Sequence, residues 1–109
     1  MIQWTASFKE NLALLPTIEG LSRIDLLDAS GAVVAVIENQ PGKQGSLAVY
    51  NYLSQAFDKL DAAAVAEGLK IFAEHTADAK ARPGAHPNID RLFAIEAGGE
   101  PLTILPIRA

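Results

Sequence analysis

The sequence predicts an α+β domain in which a four-stranded antiparallel sheet, made of two β-hairpins, packs against three helices in the order α-β-β-α-α-β-β. Three segments repeat apolar residues at spacings of three and four, which indicates amphipathic helices. Two pairs of short Ile/Leu/Val-rich runs flank Gly-containing turns, which is typical of hairpins. The chain has 109 residues, half of them apolar. That length and composition fit one domain, residues 1–109, with its own core.

The first helix is predicted from an apolar stripe near the start of the chain. Thr5 or Ser7 can cap its beginning, and Pro16 ends it. Such a face can bind a partner, but amphipathic helices more often pack on the core of their own domain, and we favour that interpretation. The stripe consists of Trp4, Phe8, Leu12 and Leu15.

The first hairpin is predicted in "LSRIDLLDASGAVVAVIEN", where Gly31 closes a short loop between two apolar runs. Asp25 alternates with apolar residues in the first strand and can be solvated, or paired with Arg23 or with a neighbouring strand. The second strand, Val33 to Ile37, is apolar on both faces, whereas strict alternation would indicate one wet face. We therefore expect the second face to be partly covered by another helix or by another copy of the protein.

Two helices are predicted in the middle of the chain. One begins near Ser46, which can cap it, and the next begins at Asp61 and runs through Thr76. The second of these must end before Pro83, because proline disfavours helix in the residue before it. The helix that begins near Ser46 has an apolar stripe consisting of Val49, Leu53, Phe57 and Leu60.

The second hairpin is predicted near the end of the sequence. Its strands are Arg91 to Ala97 and Leu102 to Ile107, with "GGEP" as the turn. Pro106 cannot donate to a ladder, so the last strand is expected at an edge of the sheet.

Composition excludes several classes of function. The net charge is −4, and no run of like charge occurs, so neither a nucleic-acid interface nor a polybasic membrane patch is expected. The absence of cysteine excludes disulfides, thiol nucleophiles and thiolate metal sites. The beginning of the chain lacks the pattern of a signal peptide, and no apolar run approaches the roughly 20 residues of a membrane span. A cytoplasmic location is the resulting expectation.

The loop in "NQPGKQGSLAVYNYL" is the clearest candidate for a ligand site. Pro41 and Gly42 suit a type II turn, and Ser46 can cap the following helix and leave the amides of Leu47 and Ala48 at its open end. Those amides and Lys43 could hold an anion. Gln44 directly after Lys43 breaks the Walker pattern, as does Ile37 in place of its first glycine. A simple turn with a serine cap remains the alternative.

A polar group near this loop forms the predicted ligand site, provided that the loop carrying His86 meets it in space. No catalytic residue, cofactor or metal is predicted, because no spaced ligand set such as HExxH occurs. His75 is expected at the edge of a buried helix face, where Asp78 can pair with it. The predicted ligand-binding residues are Lys43, Gly45, Ser46, Tyr50 and His86.

The stretches "LDASGAVVAVIENQPGKQGSLAVYNYL" and "HPNIDRLF" resemble a small bacterial family known as a domain of unknown function. The resemblance covers most of the chain. It implies a bacterial cytosolic protein and transfers neither an activity nor site residues.

Two functional hypotheses from different classes follow. The leading one is a non-enzymatic interaction or regulatory module that forms a homodimer, because the doubly apolar strand needs a cover. The alternative is a binding protein for a small anion or phosphate ligand, or a minor enzyme, that uses residues 41–48. A specific protein partner, such as a toxin or an enzyme subunit, is a third possibility.

Overall fold

The fold combines three strands and five helices in residues 3–109, which the computed structural model describes. The strands form one antiparallel sheet with the order β2-β1-β3. No helix within residues 3–109 has both the length and the apolar character required to cross a bilayer. The elements are α1 (Phe8–Leu12), β1 (Leu21–Leu27), β2 (Val33–Glu38), α2 (Gln44–Ala56), α3 (Ala62–Phe72), α4 (Glu74–Ala81), α5 (Pro87–Glu96) and β3 (Thr103–Arg108).

The predicted four-stranded sheet with three helices is wrong, because the segment Arg91 to Ala97 is part of α5 and not a strand. Pro87 occupies the first turn of this helix, where its missing N–H costs nothing. At the other end Gly98, with φ 113°, donates to the carbonyl of Ile95, and Gly99 donates to that of Ala94. This pair of bonds is a Schellman motif, which ends a helix at a left-handed glycine.

The first hairpin is confirmed. β1 and β2 pair antiparallel, with Ile24 opposite Ile37 and Asp25 opposite Val36. The register shifts next to Leu27, so that Val34 has no partner across the ladder, as in a β-bulge. Asp25 pairs with Arg23 at 2.9 Å between Oδ1 and Nε, which is one of the predicted alternatives.

The last strand is also confirmed, although its partner differs from the predicted one. β3 pairs with β1 and lies at one edge of the sheet, as Pro106 predicts. β2 forms the other edge. The sheet thus places the first strand of the chain between the two later ones.

The predicted third helix is two helices, α3 and α4. Asp61 caps α3 as predicted, since its carboxylate accepts from the amide of Ala64 at 3.0 Å. The break falls at Ala73, which has φ 52° and ψ −117°. Among residues 3–109 it is the one residue other than glycine with a positive φ. α4 then leaves in a new direction, with Thr76 Oγ1 donating to the carbonyl of Leu69.

The first helix is shorter than its predicted stripe. Ser7 caps it, accepting from the amide of Glu10, and the helix ends at Leu12, so Trp4 and Leu15 lie outside it. Both nevertheless pack against the core, as the favoured interpretation requires. Five residues are too few for an independent helix, and the buried Asn11 compensates by donating to the carbonyl of Ile71 at 3.0 Å.

α2 is the centre of the core. Five consecutive residues, from Leu47 to Asn51, are buried. Because consecutive residues lie about 100° apart around a helix, this middle part of α2 is enclosed on all sides. It packs on the sheet and on α3. Gly68 permits this close packing, because a Cβ there would lie 3.1 Å from Leu92 and 3.2 Å from Leu53.

The helices cover one face of the sheet, and the other face stays open in the described part of the chain. Ile24, Leu26 and Ile37 are buried on the covered face. Val36 and Leu105 flank Asp25 on the other face and are 46% and 43% exposed. The second apolar face of β2 is therefore present, and no helix of this chain within residues 3–109 covers it.

We expect Ala73→Gly to stabilise the protein by about 1 kcal/mol. A non-glycine residue in this conformation costs roughly 1–3 kcal/mol, and glycine removes that strain but loses more backbone entropy on folding, roughly 0.5–1 kcal/mol. The urea midpoint at constant m-value measures the change. Ala77→Gly, at an exposed position inside α4, is the control and should lower stability by about 1 kcal/mol. An equal loss from both substitutions would show that Ala73 is not strained.

Candidate functional site

A cleft of about 880 Å³ opens among the described residues. It lies between α1, the edge of β2, the first turn of α2 and the first turn of α5. The end of α3 and the beginning of α4 contribute Phe72 and His75. Two helix N-termini, which carry the positive end of the helix dipole, therefore open on one cavity.

The first turn of α2 has unpaired amides. Pro41 and Gly42 form the predicted type II turn, with φ 86° at Gly42 and the amide of Lys43 donating to the carbonyl of Gln40 at 2.9 Å. The predicted cap at Ser46 is wrong, because the helix begins two residues earlier, at Gln44. The chain already turns into helical backbone after Gly42, so Lys43 holds the capping position.

Lys43 has no side-chain acceptor and therefore cannot cap the helix. The first amide bonded within the helix is that of Leu47, which donates to the carbonyl of Lys43. Within residues 3–109, no protein group accepts from the three amides before it, those of Gln44, Gly45 and Ser46. Ordinary helices satisfy such amides by a capping side chain, by water or by a ligand.

Tyr50 of α2 holds the first turn of α5 through hydrogen bonds. Its hydroxyl donates to the carbonyl of Asn88 at 2.6 Å and accepts from Arg91 Nη1 at 3.2 Å. Arg91 also donates to Asn88 Oδ1 at 2.8 Å. Burial raises the pKa of the Tyr50 phenol, against the smaller lowering effect of Arg91, so the hydroxyl stays protonated. Tyr50 thereby positions Arg91 at the cleft.

His86 is held by a carboxylate on α4. Its Nε2 lies 2.6 Å from Asp78 Oδ2, and Arg82 binds the same carboxylate, with 2.9 Å between Nε and Oδ1. The predicted pairing of Asp78 with His75 is replaced by these two bonds. His75 lies beside His86 instead, with 5.6 Å between ring centroids. The hydrogen bonds from Arg82 and then His86 hold the pKa of Asp78 far below its ordinary value.

An aromatic wall adjoins the first turn of α2. Phe8 stacks on Phe72 with 5.3 Å between centroids and meets His75 edge-on at 5.0 Å. A Cβ on Gly45 would lie 3.0 Å from Phe8 Cε2, so only glycine lets the ring approach the helix this closely. Phe8 is held in turn by Glu74, which accepts from its amide at 2.7 Å.

The side chains around the cleft are positively charged, able to become so, or neutral. Lys43 and Arg91 carry full charges, and His75 and His86 gain one on protonation. The chain has thirteen acidic residues, yet none of them lines the cleft. Asp78 lies behind His86, where Arg82 offsets its charge. The cleft is therefore a local positive region in a protein of negative net charge.

Four of the five predicted ligand-binding residues line this one cleft: Lys43, Gly45, Ser46 and His86. The fifth, Tyr50, is fully buried behind the wall and supports α5. Sequence reasoning did not identify Arg91, because the prediction placed it in a strand. It did not identify Phe8 and Phe72 either, because their spacing indicated only core positions.

The geometry suits binding better than covalent catalysis. A histidine oriented by a carboxylate can act as a general base. Ser46 lines the same cleft, but in residues 3–109 its hydroxyl makes no hydrogen bond to either histidine. A nucleophile activated by a base is thus not assembled. Nor do the described residues group three or more metal-ligating His, Cys, Asp or Glu side chains.

Comparison with known proteins gives a family. Residues 8–106 match the model of a family described as an uncharacterized protein conserved in bacteria (DUF2322). The chain belongs to this family. The match confirms the resemblance seen in the sequence and includes every residue of the cleft named above. Neither curated proteins nor solved structures gave a match.

We expect acid to destabilise the protein through Asp78 and Glu74. The pKa of Asp78 is lowered by Arg82 and His86, and that of Glu74 chiefly by the amide of Phe8. A carboxyl group with a lower pKa in the folded state stabilises the fold above its unfolded value, near 3.8 for Asp78, and loses this contribution as the pH falls. The urea midpoint should drop between pH 5 and pH 3.

Asp78→Asn should make that drop shallower, because it removes one of the titrating groups. Asp58→Asn is the matched control, since Asp58 is exposed and has no ion pair among residues 3–109. If the two variants keep the same acid dependence as the parent, the ion pairs of Asp78 do not contribute to stability.

Proposed function

We propose that this protein binds a small anionic ligand in the cleft between α2 and α5. The observation that carries the proposal is the charge of the wall: Lys43, Arg91 and two histidines face the cavity, and no carboxylate does. Such a cavity concentrates anions even on a protein whose net charge is −4.

The unpaired amides of α2 support the same conclusion. An anion at the first turn would accept from the amides of Gly45 and Ser46 and interact favourably with the helix dipole. Lys43, at the capping position, adds a charge without competing for those amides, because it has no acceptor. Ser46 adds a hydroxyl donor from the same turn.

Arg91 supports the proposal from the opposite side. Its guanidinium is tied to two neutral oxygens, those of Tyr50 and Asn88. No carboxylate within residues 3–109 forms an ion pair with it. Because the partners of this half-buried guanidinium are neutral, its positive charge can attract an anionic ligand. Its remaining N–H donors suit a planar carboxylate or a phosphate.

Titration of the ¹⁵N-labelled protein with inorganic phosphate tests the proposal. We expect saturable shifts of the amides of Gln44, Gly45 and Ser46 that weaken as salt is added, because exposed charges are screened. Lys43→Gln should weaken binding by about three-fold, the effect of losing one partly screened ionic contact.

Lys59→Gln is the matched control for that titration. Lys59 is exposed and lies outside the cleft, so its removal changes the net charge equally but leaves the site intact. Unmoved amides at residues 44–46, or equal effects of the two substitutions, would show that the cleft does not select anions.

Self-association through the edge of β2 is a second candidate function, favoured by the exposed side chains of that strand. Val33 and Val34 are each about half exposed. β2 contains no lysine or proline, residues that ordinarily protect an edge, whereas β3, the opposite edge, contains Pro106 and ends in Arg108. Antiparallel pairing of β2 with the same strand of a second copy would satisfy its free backbone groups.

We expect light scattering to detect a dimer at high micromolar concentration, and Val34→Lys to convert it to a monomer. Val34 is used because it is exposed and does not line the cleft. Leu14→Lys is the control, since Leu14 is similarly exposed but is not part of any strand of the sheet. A monomeric parent protein, or dissociation by both substitutions alike, would contradict the proposal.

A further inference from the structure

The cleft is much larger than an inorganic anion. Its volume of about 880 Å³ equals the liquid volume of roughly thirty water molecules at about 30 Å³ each. Cavities of roughly 300–1,000 Å³ are the size that organic ligands occupy. A bare phosphate or carboxylate at the first turn of α2 would therefore leave most of the space to water.

The remaining wall is apolar and close to the charged end. Phe8, Leu12 and Phe72 line the cleft together with Ile37 of β2. Phe8 packs directly against Gly45, in the turn that carries the unpaired amides. An anionic group at those amides is thus within one ring diameter of an aromatic surface. The cavity therefore has a positively charged part, at the first turn of α2, and an apolar part next to it.

We infer that the ligand is an organic anion in which a phosphate or carboxylate is attached to an apolar ring. The inference rests on the proposed anion-binding function and adds the chemical class of the ligand. The anionic group meets Lys43 and the α2 amides, and the ring packs between Phe8 and Leu12. His75, which meets Phe8 edge-on, also lines the cleft.

Three probes separate the two parts: methyl phosphate, phenyl phosphate and benzyl alcohol. The two esters carry the same anionic group and differ in the ring. We expect phenyl phosphate to bind at least ten-fold more tightly than methyl phosphate, and benzyl alcohol to bind far more weakly than phenyl phosphate. Amide shifts at residues 44–46 report the anionic group, and NOEs from the phenyl protons to the Leu12 methyl groups report the ring.

Leu12→Gln provides the corresponding variant, with Leu14→Gln as its control. Leu12 lines the cleft and Leu14 does not. Leu12→Gln should remove most of the preference for phenyl phosphate without changing the affinity for methyl phosphate, whereas Leu14→Gln should change neither.

The outcomes distinguish this inference from the function on which it rests. Equal affinities for the two esters would overturn the inference and leave anion binding in place. Failure of both esters to bind would overturn anion binding and, with it, the inference. Binding of benzyl alcohol as tight as that of phenyl phosphate would overturn both, because the cavity would then select the ring alone.

Discussion

The enclosure of the middle of α2, from Leu47 to Asn51, is the constraint on which the rest of the structure depends. A sheet of three strands is too small to build a core by itself, and it needs a helix layer across one face. α2 provides the centre of that layer and buries five consecutive residues. Its sides must then be covered by α3 and α5, and Gly68 sets how closely they approach. The same enclosure buries Asn51, whose amide has no partner within residues 3–109. The packing around α2 thus buries Asn51 although its side chain is polar.

The cleft is a consequence of this arrangement. α5 packs on α3 and α4, and the bond from Tyr50 to the carbonyl of Asn88 ties its first turn to α2. Two positive helix ends side by side repel each other, and they also repel the neighbouring Arg91 and Lys43. Structural reasons alone would favour a carboxylate there. Two carboxylates near the cleft, Asp78 and Asp90, instead bind His86 and the amide of Gly84. Among the described residues no carboxylate lines the cleft, and this supports the proposed anion site more strongly than either helix end does.

Local features were predictable from the sequence, and features that depend on distant residues were not. The turn at Pro41 and Gly42, the cap at Asp61 and the first hairpin each follow from neighbouring residues, and each is confirmed. Residues 91–97 were assigned to a strand because short apolar runs do not distinguish strand from helix. Pro87 and Gly98 are residues typical of the two ends of a helix. The sequence alone does not show whether these end signals outweigh the apolar run, which is equally typical of a strand. The break at Ala73 carries no signal at all, since alanine favours helix. Side-chain chemistry alone predicts a ligand site that contains Lys43, Ser46 and His86. That these residues line one cleft depends on how α5 packs, which the sequence does not show. Arg91 is not among the predicted site residues because it lies in α5, the segment that is predicted as a strand.

The edge of β2 links the two functional proposals. Val36 and Ile37 line the cleft, and the same strand presents the exposed valines of the proposed dimer interface. A second copy paired along β2 would hold this wall of the cleft in place, and a bound ligand would in turn order the strand before it pairs. Binding and association would then raise each other's affinity, because linkage between two sites is reciprocal. Substitution of Val36 would disturb both events and could not separate them. Val34 does not line the cleft, and Lys43 is not part of β2. If Val34→Lys changed anion binding, or Lys43→Gln changed the oligomeric state, the change would therefore report coupling between the two proposed sites and not a contact that they share.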